Sequence, residues 1–125
     1  MIHGIGTDLV VIQRMHEFWQ RHGERALDKL LAPEEREACR ASGDPGRFLA
    51  KRFAAKEALG KALGTGIRAP VLLPAIAVTH DALGKPAFGF GPELAGWIAE
   101  RGLTCHLSLS DEKEHALAFV VVETA

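Results

Sequence analysis

The sequence predicts a single α+β domain over residues 1–125, in which a mainly antiparallel sheet packs against a long central helix. Segments with helical periodicity stand between segments with strand periodicity, and most strands are joined by short turns that favour hairpins. The chain has 125 residues, which is about the length of one domain. A domain of this size can bury roughly two-thirds of its unfolded surface, so it can fold without disulfides or a structural metal.

The N-terminal half predicts one strand followed by four helices. Residues 2–11 are β-branched and apolar without proline, which is typical of a strand. Residues 12–22 repeat apolar side chains at helical spacing, and residues 24–31 continue as a short helix. A third helix over 33–41 begins with a proline and two glutamates, which suit a first helical turn. After a Gly-Asp-Pro-Gly break, residues 47–63 are rich in Ala, Leu and Lys and predict the long helix.

The C-terminal half predicts four strands and one further helix. Gly64 and Gly66 end the long helix, and a loop with two prolines follows. A Leu-Gly-Lys-Pro turn separates the first two strands, and an acidic turn separates the last two. The expected strands are 75–79, 87–90, 104–110 and 115–123, and the helix runs from Pro92 to about Arg101.

The composition is that of an ordinary globular protein. Hydrophobic residues make up 47% of the chain and the formal net charge is −1, so a general nucleic-acid binder, which is usually basic, is not expected. No apolar run is long enough to cross a bilayer, and the N-terminus lacks the features of a signal peptide. The two cysteines form neither a disulfide framework nor a zinc site. We therefore expect a cytoplasmic protein with reduced thiols that binds neither nucleic acid nor membrane.

One face of the first strand carries an acid beside two glycines. Because side chains alternate along a strand, Gly4, Gly6 and Asp8 share one face, and the residues between them share the other. Two glycines next to a carboxylate leave open space that a ligand could enter. The alternative is that a bulge or a packed helix accounts for the glycines and that Asp8 caps a turn.

The long helix combines an acid with many basic residues. Phe53, Glu57 and Lys61 follow one another at four-residue steps and lie along one face. A Glu–Lys pair at this spacing is common on helix surfaces. With Asp8, however, Glu57 makes a pair of carboxylates, and such a pair with a phosphate ligand suits Mg²⁺. The basic residues of this segment are Arg47, Lys51, Arg52, Lys56, Lys61 and Arg68. They form either a solvated helix face or a site for phosphates.

A polar row occupies one face of the strand predicted over 104–110. His106, Ser108 and Ser110 share that face, while the apolar residues between them share the opposite one. Such a row either faces solvent or lines a ligand groove.

Four sequence blocks together resemble the signature of the short bacterial 4'-phosphopantetheinyl transferases, the holo-acyl-carrier-protein synthase family. The blocks are GIGTD at 4–8, RFLAKRFAAKEALGKALGTGIR at 47–68, LGKP at 83–86 and HLSLSDE at 106–112. They occur in order over almost the whole chain, and the pairing of the first two is specific. Two positions vary: Asp111, where many relatives carry a histidine, and Gly60, a poor helix former inside the helical block.

This resemblance implies the fold of that family and a transferase of fatty acid biosynthesis. The enzyme would move 4'-phosphopantetheine from coenzyme A to a serine of apo acyl carrier protein. Asp8 and Glu57 match the family's metal-binding acids, which would hold Mg²⁺ against the pyrophosphate. Glu57 would also act as base toward the serine, directly or through a water, and Lys61 would stabilise or protonate the departing 3',5'-ADP. The residues implied in coenzyme A binding are Arg47, Arg52, Lys61, Gly64 and His106.

The first helix has a composition that suits an acidic protein partner. Arginines stand beside large apolar side chains, which is a sensible combination for an interface. The resemblance implies that this helix docks the carrier protein, and the alternative is that it only buries its apolar stripe. The residues concerned are Arg14, Met15, Phe18, Arg21 and Arg25.

The resemblance also implies a homotrimer, because short members of the family build each site across a subunit boundary. The alternative function is a non-enzymatic α+β module that binds nucleotides or phosphates through the same basic helix. Such a module has no need of Asp8 and Glu57 beside the basic groups.

Overall fold

Five α-helices and five strands follow one another in the predicted order, in a computed structural model that describes all 125 residues. The elements are β1 (Ile2–Val11), α1 (Ile12–His22), α2 (Glu24–Leu30), α3 (Pro33–Ala41), α4 (Pro45–Leu63), β2 (Ile76–His80), β3 (Pro86–Phe90), α5 (Pro92–Glu100), β4 (Leu103–Asp111) and β5 (His115–Thr124). A short 3-10 helix, Leu73–Ala75, precedes β2. The α+β class is confirmed, and the observed bounds differ from the predicted ones by at most two residues.

The long helix α4 begins at Pro45, two residues earlier than predicted. The side chain of Asp44 caps it, since its Oδ1 accepts a hydrogen bond of 3.1 Å from the Arg47 N–H. Proline suits the first helical position because its missing N–H would have no partner there. The Gly-Asp-Pro-Gly break is therefore the start of the helix and not a separate turn.

The strands form two antiparallel sheets. Three strands make the larger sheet in the order β1-β5-β4, and β2 pairs with β3 in a separate hairpin. In the larger sheet, Thr7 lies opposite Phe119, which lies opposite Ser108, so these side chains share one face. That face is uncovered, and Ile5 and Leu9 on it are 61% and 63% exposed. Helix α4 packs on the other face.

The contact between β1 and α4 depends on the two glycines of β1. A Cβ atom on Gly4 would overlap the carbonyl oxygen of Ala62, and one on Gly6 would overlap that of Ala58. The space beside these glycines is therefore filled by the helix backbone and is not open to a ligand. Of the two interpretations of the glycines, helix packing is the one that the structure shows, and it brings the face of Asp8 directly against α4.

One hydrophobic core joins all the layers. It is a cluster of 27 buried residues that includes side chains from every helix and from the larger sheet. Only Glu35 and Lys56 are charged among the buried residues. Helix α4 is the longest at 19 residues, and neither it nor any other helix has the unbroken apolar length of a bilayer crossing.

Candidate active site

Asp8, Glu57 and Lys61 lie where β1 crosses the C-terminal half of α4. The Lys61 ammonium donates hydrogen bonds to the Thr7 carbonyl oxygen at 2.8 Å and to Asp8 Oδ1 at 3.2 Å. The Asp8 side chain is only 18% exposed, whereas that of Lys61 is 55% exposed. Lys61 therefore pairs with Asp8 on the strand and does not form the helix-surface pair with Glu57. The structure brings these three predicted residues together in one group, the Asp8 cluster.

The electrostatics of the cluster raise the pKa of Glu57. Partial burial is the largest cause, the negative charge of Asp8 adds to it, and the charge of Lys61 opposes it. Two carboxylates that repel each other in this way are a favourable place for a cation. The cluster therefore has the electrostatic character of a metal or phosphate site.

The cluster has too few protein ligands to hold a metal ion without help from other ligands. No group of three or more His, Cys, Asp or Glu side chains is placed to hold one. Mg²⁺ is bound in many phosphate-handling sites by one or two carboxylates together with waters and phosphate oxygens. Asp8 and Glu57 fit that pattern, because they supply two hard oxygen ligands and leave the remaining positions to others.

Gly64 ends α4 one turn beyond Lys61, as predicted. It has φ 81°, a left-handed conformation that glycine adopts at little cost. The loop then folds back, and the Gly66 N–H donates to the Gly60 carbonyl oxygen at 3.0 Å. A Cβ on Gly60 would lie 3.0 Å from the Gly66 carbonyl carbon, which accounts for a glycine inside the helix. No atom would crowd a Cβ at Gly64, so this loop surface is open.

Arg47 ties the start of α4 to the turn between β4 and β5. Its guanidinium donates to Asp111 Oδ2 at 2.8 Å and to the carbonyl oxygens of Glu112 and Lys113 at 2.8 and 3.1 Å. It lies ten residues before Glu57, which is about 15 Å along the helix. The structure therefore does not bring Arg47 to the Asp8 cluster, and Asp111 in this chain pairs with Arg47 and, at 3.6 Å, with Lys51.

Arg52 and Lys56 are also held by an acid that the sequence interpretation did not include. Arg52 donates to Glu35 Oε2 at 2.8 Å, and Lys56 donates to Glu35 Oε1. Burial lowers the pKa of Lys56 to about 8 against the attraction of Glu35. Burial alone would raise the pKa of Glu35, but Lys56 and Arg52 outweigh it and lower that pKa. Lys56 is fully buried, and Arg52, whose side chain is 12% exposed, is already paired with Glu35.

Glu35 was missed because its partners are 17 and 21 residues away in the chain. The position of Glu35 on α3 could have revealed it from the sequence. It lies one turn before Cys39 on the buried face of that helix, so helical periodicity places an acid among apolar residues. A buried acid requires a partner, and the basic stretch of α4 was the obvious source.

His106 lies on the uncovered face of the larger sheet. The predicted alternation of β4 is confirmed, with His106 and Ser108 exposed and Leu107 buried. The imidazole Nε2 is 2.6 Å from Glu123 Oε1 on the neighbouring strand. Asp8 points to the opposite face, so His106 can serve the Asp8 cluster only in a second copy of the chain.

The residues of the predicted partner surface on α1 differ in exposure. Arg14 and Arg21 are exposed and, with Phe18, border a shallow groove whose floor includes Met15. Met15 itself is 6% exposed and belongs to the core, so it offers little area to a partner. Arg25 is exposed on the following helix.

Comparison with known proteins identifies the family. The model of the 4'-phosphopantetheinyl transferase superfamily, ACPS, matches residues 4–120. The holo-[acyl-carrier-protein] synthase of Azoarcus sp. (strain BH72) is 59% identical over 124 residues, which are 99% of each chain. That of Dechloromonas aromatica (strain RCB) is 57% identical over the whole of both chains.

Solved structures agree with this result. The holo-[acyl-carrier-protein] synthase of Neisseria meningitidis superposes with a TM-score of 0.95 at 48% identity, covering 99% of this chain and 100% of that one. The synthase of Bacillus anthracis, solved in complex with CoA (3',5'-ADP), gives a TM-score of 0.84 at 34% identity, covering 100% and 99%.

The chain belongs to the 4'-phosphopantetheinyl transferase superfamily and, within it, to the family of the holo-[acyl-carrier-protein] synthases. It is therefore an enzyme, which decides against a non-enzymatic phosphate-binding module.

Proposed function

We propose that the protein transfers the 4'-phosphopantetheine group of coenzyme A to a serine of apo acyl carrier protein. The serine oxygen forms a bond to phosphorus, the pyrophosphate linkage of coenzyme A breaks, and 3',5'-ADP leaves. The observation that carries this proposal is the meeting of Asp8 with Glu57 and Lys61 at the contact of β1 and α4. The names of the relatives and the coenzyme in the Bacillus anthracis structure support it.

Asp8 and Glu57 are the residues that would hold a magnesium ion. The ion, when bound with the pyrophosphate, supplies positive charge that stabilises the leaving group. Mutual repulsion between the two carboxylates favours a cation between them. Magnesium dependence is part of the proposal.

Glu57 and Lys61 have complementary roles in the transfer. Since its pKa is raised, the Glu57 carboxylate is a stronger base than an ordinary glutamate and can accept the serine proton, directly or through a water. Lys61 is exposed and carries its ammonium beside Asp8, where it can neutralise or protonate the departing phosphate. Both groups lie on one face of α4, so a single rigid element positions them.

The nucleotide part of coenzyme A would be bound at the margin of this cluster. The open loop surface at Gly64 allows a phosphate to approach the backbone. His106 would contribute from a neighbouring subunit. Arg47 and Arg52 are already held by Asp111 and Glu35, so they would contribute positive charge at a distance and not new hydrogen bonds.

A homotrimer is part of the proposal, and the uncovered face of the larger sheet supports it. Leu117 and Phe119 at its centre are each 41% exposed, beside the more exposed Ile5 and Leu9 on β1. Monomeric proteins rarely expose a large contiguous apolar patch. Further copies of the chain would cover this face and would bring His106 to the subunit boundary.

Helix α1 is the proposed docking surface for the carrier protein. Arg14 and Arg21 border a groove next to the half-buried ring of Phe18, and Arg25 extends the basic surface onto α2. An acidic partner would be attracted by these arginines and held by the aromatic contact. A role in fatty acid biosynthesis and a cytoplasmic location complete the proposal, and the two unpaired cysteines suit a reducing compartment.

The test is direct. The protein is mixed with coenzyme A, Mg²⁺ and an apo carrier protein, and the carrier is weighed by intact mass spectrometry. The proposal predicts a mass gain equal to one phosphopantetheine group and the release of 3',5'-ADP. Absence of both products with several apo carriers would contradict it.

A further inference from the structure

A buried charge network lies on the side of α4 that faces away from the active site. It consists of Glu35, Arg52 and Lys56, whose side chains are 1%, 12% and 0% exposed. At about 100° per residue, Arg52 and Lys56 point between about 100° and 180° away from Glu57 and Lys61 around the same helix. The network and the active site are therefore two sides of one rigid element.

Lys56 joins three separate parts of the chain. Its ammonium donates to the carbonyl oxygens of Leu30, at the end of α2, and Leu73, in the 3-10 helix, at 2.7 and 3.1 Å. Its third hydrogen bond goes to Glu35 on α3. All three donors of the ammonium are thus used, each by a different element.

Glu35 accepts hydrogen bonds from three further groups besides Lys56. Its Oε1 accepts from the Ala32 N–H at 2.8 Å, and its Oε2 accepts from the Val78 N–H at 3.0 Å and from Arg52 at 2.8 Å. Arg52 also donates to the Val78 carbonyl oxygen at 2.6 Å. α4 is therefore attached by directional bonds to α3, β2 and the segment before α3.

Stability alone is a weak reason for such a network. Charges lose their hydration on burial, and apolar replacements of a buried ion pair are often as stable as the pair or more stable. The directional bonds of the network constrain the position of the helix relative to α3 and β2.

The opposite side of α4 is joined to β1 by fewer side-chain hydrogen bonds, those of Lys61 to the Thr7 carbonyl oxygen and to Asp8. Its contact with β1 is made by Gly4 and Gly6 against Ala58 and Ala62. These four residues are glycines and alanines, so no long side chain interlocks the two elements at these positions. A slide or rotation of α4 there would move Glu57 and Lys61 relative to Asp8.

We propose that Glu35 is a positioning residue for the transfer reaction, which acts through Lys56 and Arg52 to hold Glu57 and Lys61 opposite Asp8. This inference rests on the proposed function. It assigns to α3, which contributes nothing to the Asp8 cluster, an effect on the rate of the chemical step.

The test compares variants in which the charges are removed singly and together. Glu35→Gln leaves Lys56 buried without its counter-charge, and both the melting temperature and kcat should fall. Glu35→Leu with Lys56→Met replaces the pair by apolar side chains of similar size. This double variant removes the uncompensated charge of Lys56, so it should melt above Glu35→Gln, although Arg52 and the Val78 N–H lose their partner. Its kcat should stay at least about tenfold below wild type, as expected for a misplaced catalytic group. KM for coenzyme A should change less than kcat.

Glu35→Asp is a further test of the positioning role, for use if the other variants fail to fold. It keeps the charge but shortens the side chain by one methylene, so it should lower kcat at nearly unchanged KM. The matched control is the exposed pair of Arg40 and Glu24, which also joins α2 to α3. Glu24→Gln with Arg40→Met should leave kcat unchanged.

The outcomes separate the proposals. If the double variant regains kcat together with stability, or if Glu35→Asp loses stability at wild-type kcat, Glu35 is only structural and the inference is overturned. A wild-type protein that modifies no carrier would overturn the proposed function instead, since that result does not depend on Glu35.

Discussion

The ammonium group of Lys61 lies 3.2 Å from the Asp8 carboxylate and leaves Glu57, one turn earlier on the same helix, without that partner. This arrangement links a helix to a strand across the β1–α4 contact. It also leaves the Glu57 carboxylate under the repulsion of Asp8. The close approach of the two elements is what makes the site, and two glycines make the approach possible.

Replacing Gly6 by alanine should therefore damage both fold and site. The new Cβ would overlap the carbonyl oxygen of Ala58 and press on the Cβ of Lys61, which it would approach to 3.0 Å. Overpacking of this kind typically costs about 1–3 kcal/mol of unfolding free energy. Denaturant unfolding measures the loss. Gly43→Ala is the control, because no atom lies within 4 Å of its added Cβ, and an equal loss in both variants would contradict the packing explanation.

Glu57 should control the acid limb of the activity profile. Because burial and Asp8 raise its pKa above 4.5, the base is lost on acidification at a pH above that of an ordinary glutamate. We expect kcat/KM to fall toward low pH with a midpoint at the pKa of Glu57. Glu57→Gln should have low activity at every pH, with no such midpoint. A profile with the same midpoint in Glu57→Gln would assign it to another group.

The same shift has a consequence for stability. A carboxyl whose folded pKa is raised favours folding in its protonated form, so its contribution is full below the unfolded pKa and is lost as the pH rises through the folded pKa. Glu57→Gln should therefore melt at a higher temperature than wild type at pH 7, and the difference should vanish near pH 4. Thermal melts at the two pH values measure this, and a lower melting temperature at pH 7 would be the contrary result.

Charge reversal on α1 should affect one substrate more than the other. Arg14→Glu with Arg21→Glu places acids on the proposed docking surface, so repulsion should raise the KM for carrier protein by about tenfold or more, with little change in the KM for coenzyme A. Arg101→Glu, which changes an exposed arginine directly after α5, is the control. Equal effects on both KM values would count against α1 as the docking surface.

An acid at the centre of the uncovered sheet face should prevent assembly. Phe119→Glu would place a charge in the proposed subunit boundary, which is costly without a partner. Analytical ultracentrifugation should show a trimer for wild type and a smaller species for the variant, with loss of activity if sites are shared. Leu83→Glu is the control, since Leu83 is 95% exposed in the β2–β3 turn. A wild-type monomer would rule out the trimer.

Local periodicity predicted much of this molecule, since it is a property of neighbouring residues. The two-residue repeat placed Asp8 with the glycines, and the four-residue repeat aligned Glu57 with Lys61. Contacts between residues far apart in the chain leave no such local pattern, so the ion pair between Arg52 and Glu35 was not predicted. Similarly, nothing local shows which sheet face remains bare, and the side on which His106 lies could be established only from the fold.

The most direct test of the active-site assignment is the transfer activity of Asp8→Asn at ordinary Mg²⁺ concentration. The substitution keeps size and shape but removes the charge that pairs with Lys61 and opposes Glu57. Intact-mass measurement of the carrier should show turnover reduced by at least about a hundredfold, with the melting temperature close to wild type. Asp28→Asn, an exposed acid on α2, should be unchanged. Near-normal transfer by Asp8→Asn would contradict the assignment of this cluster as the active site.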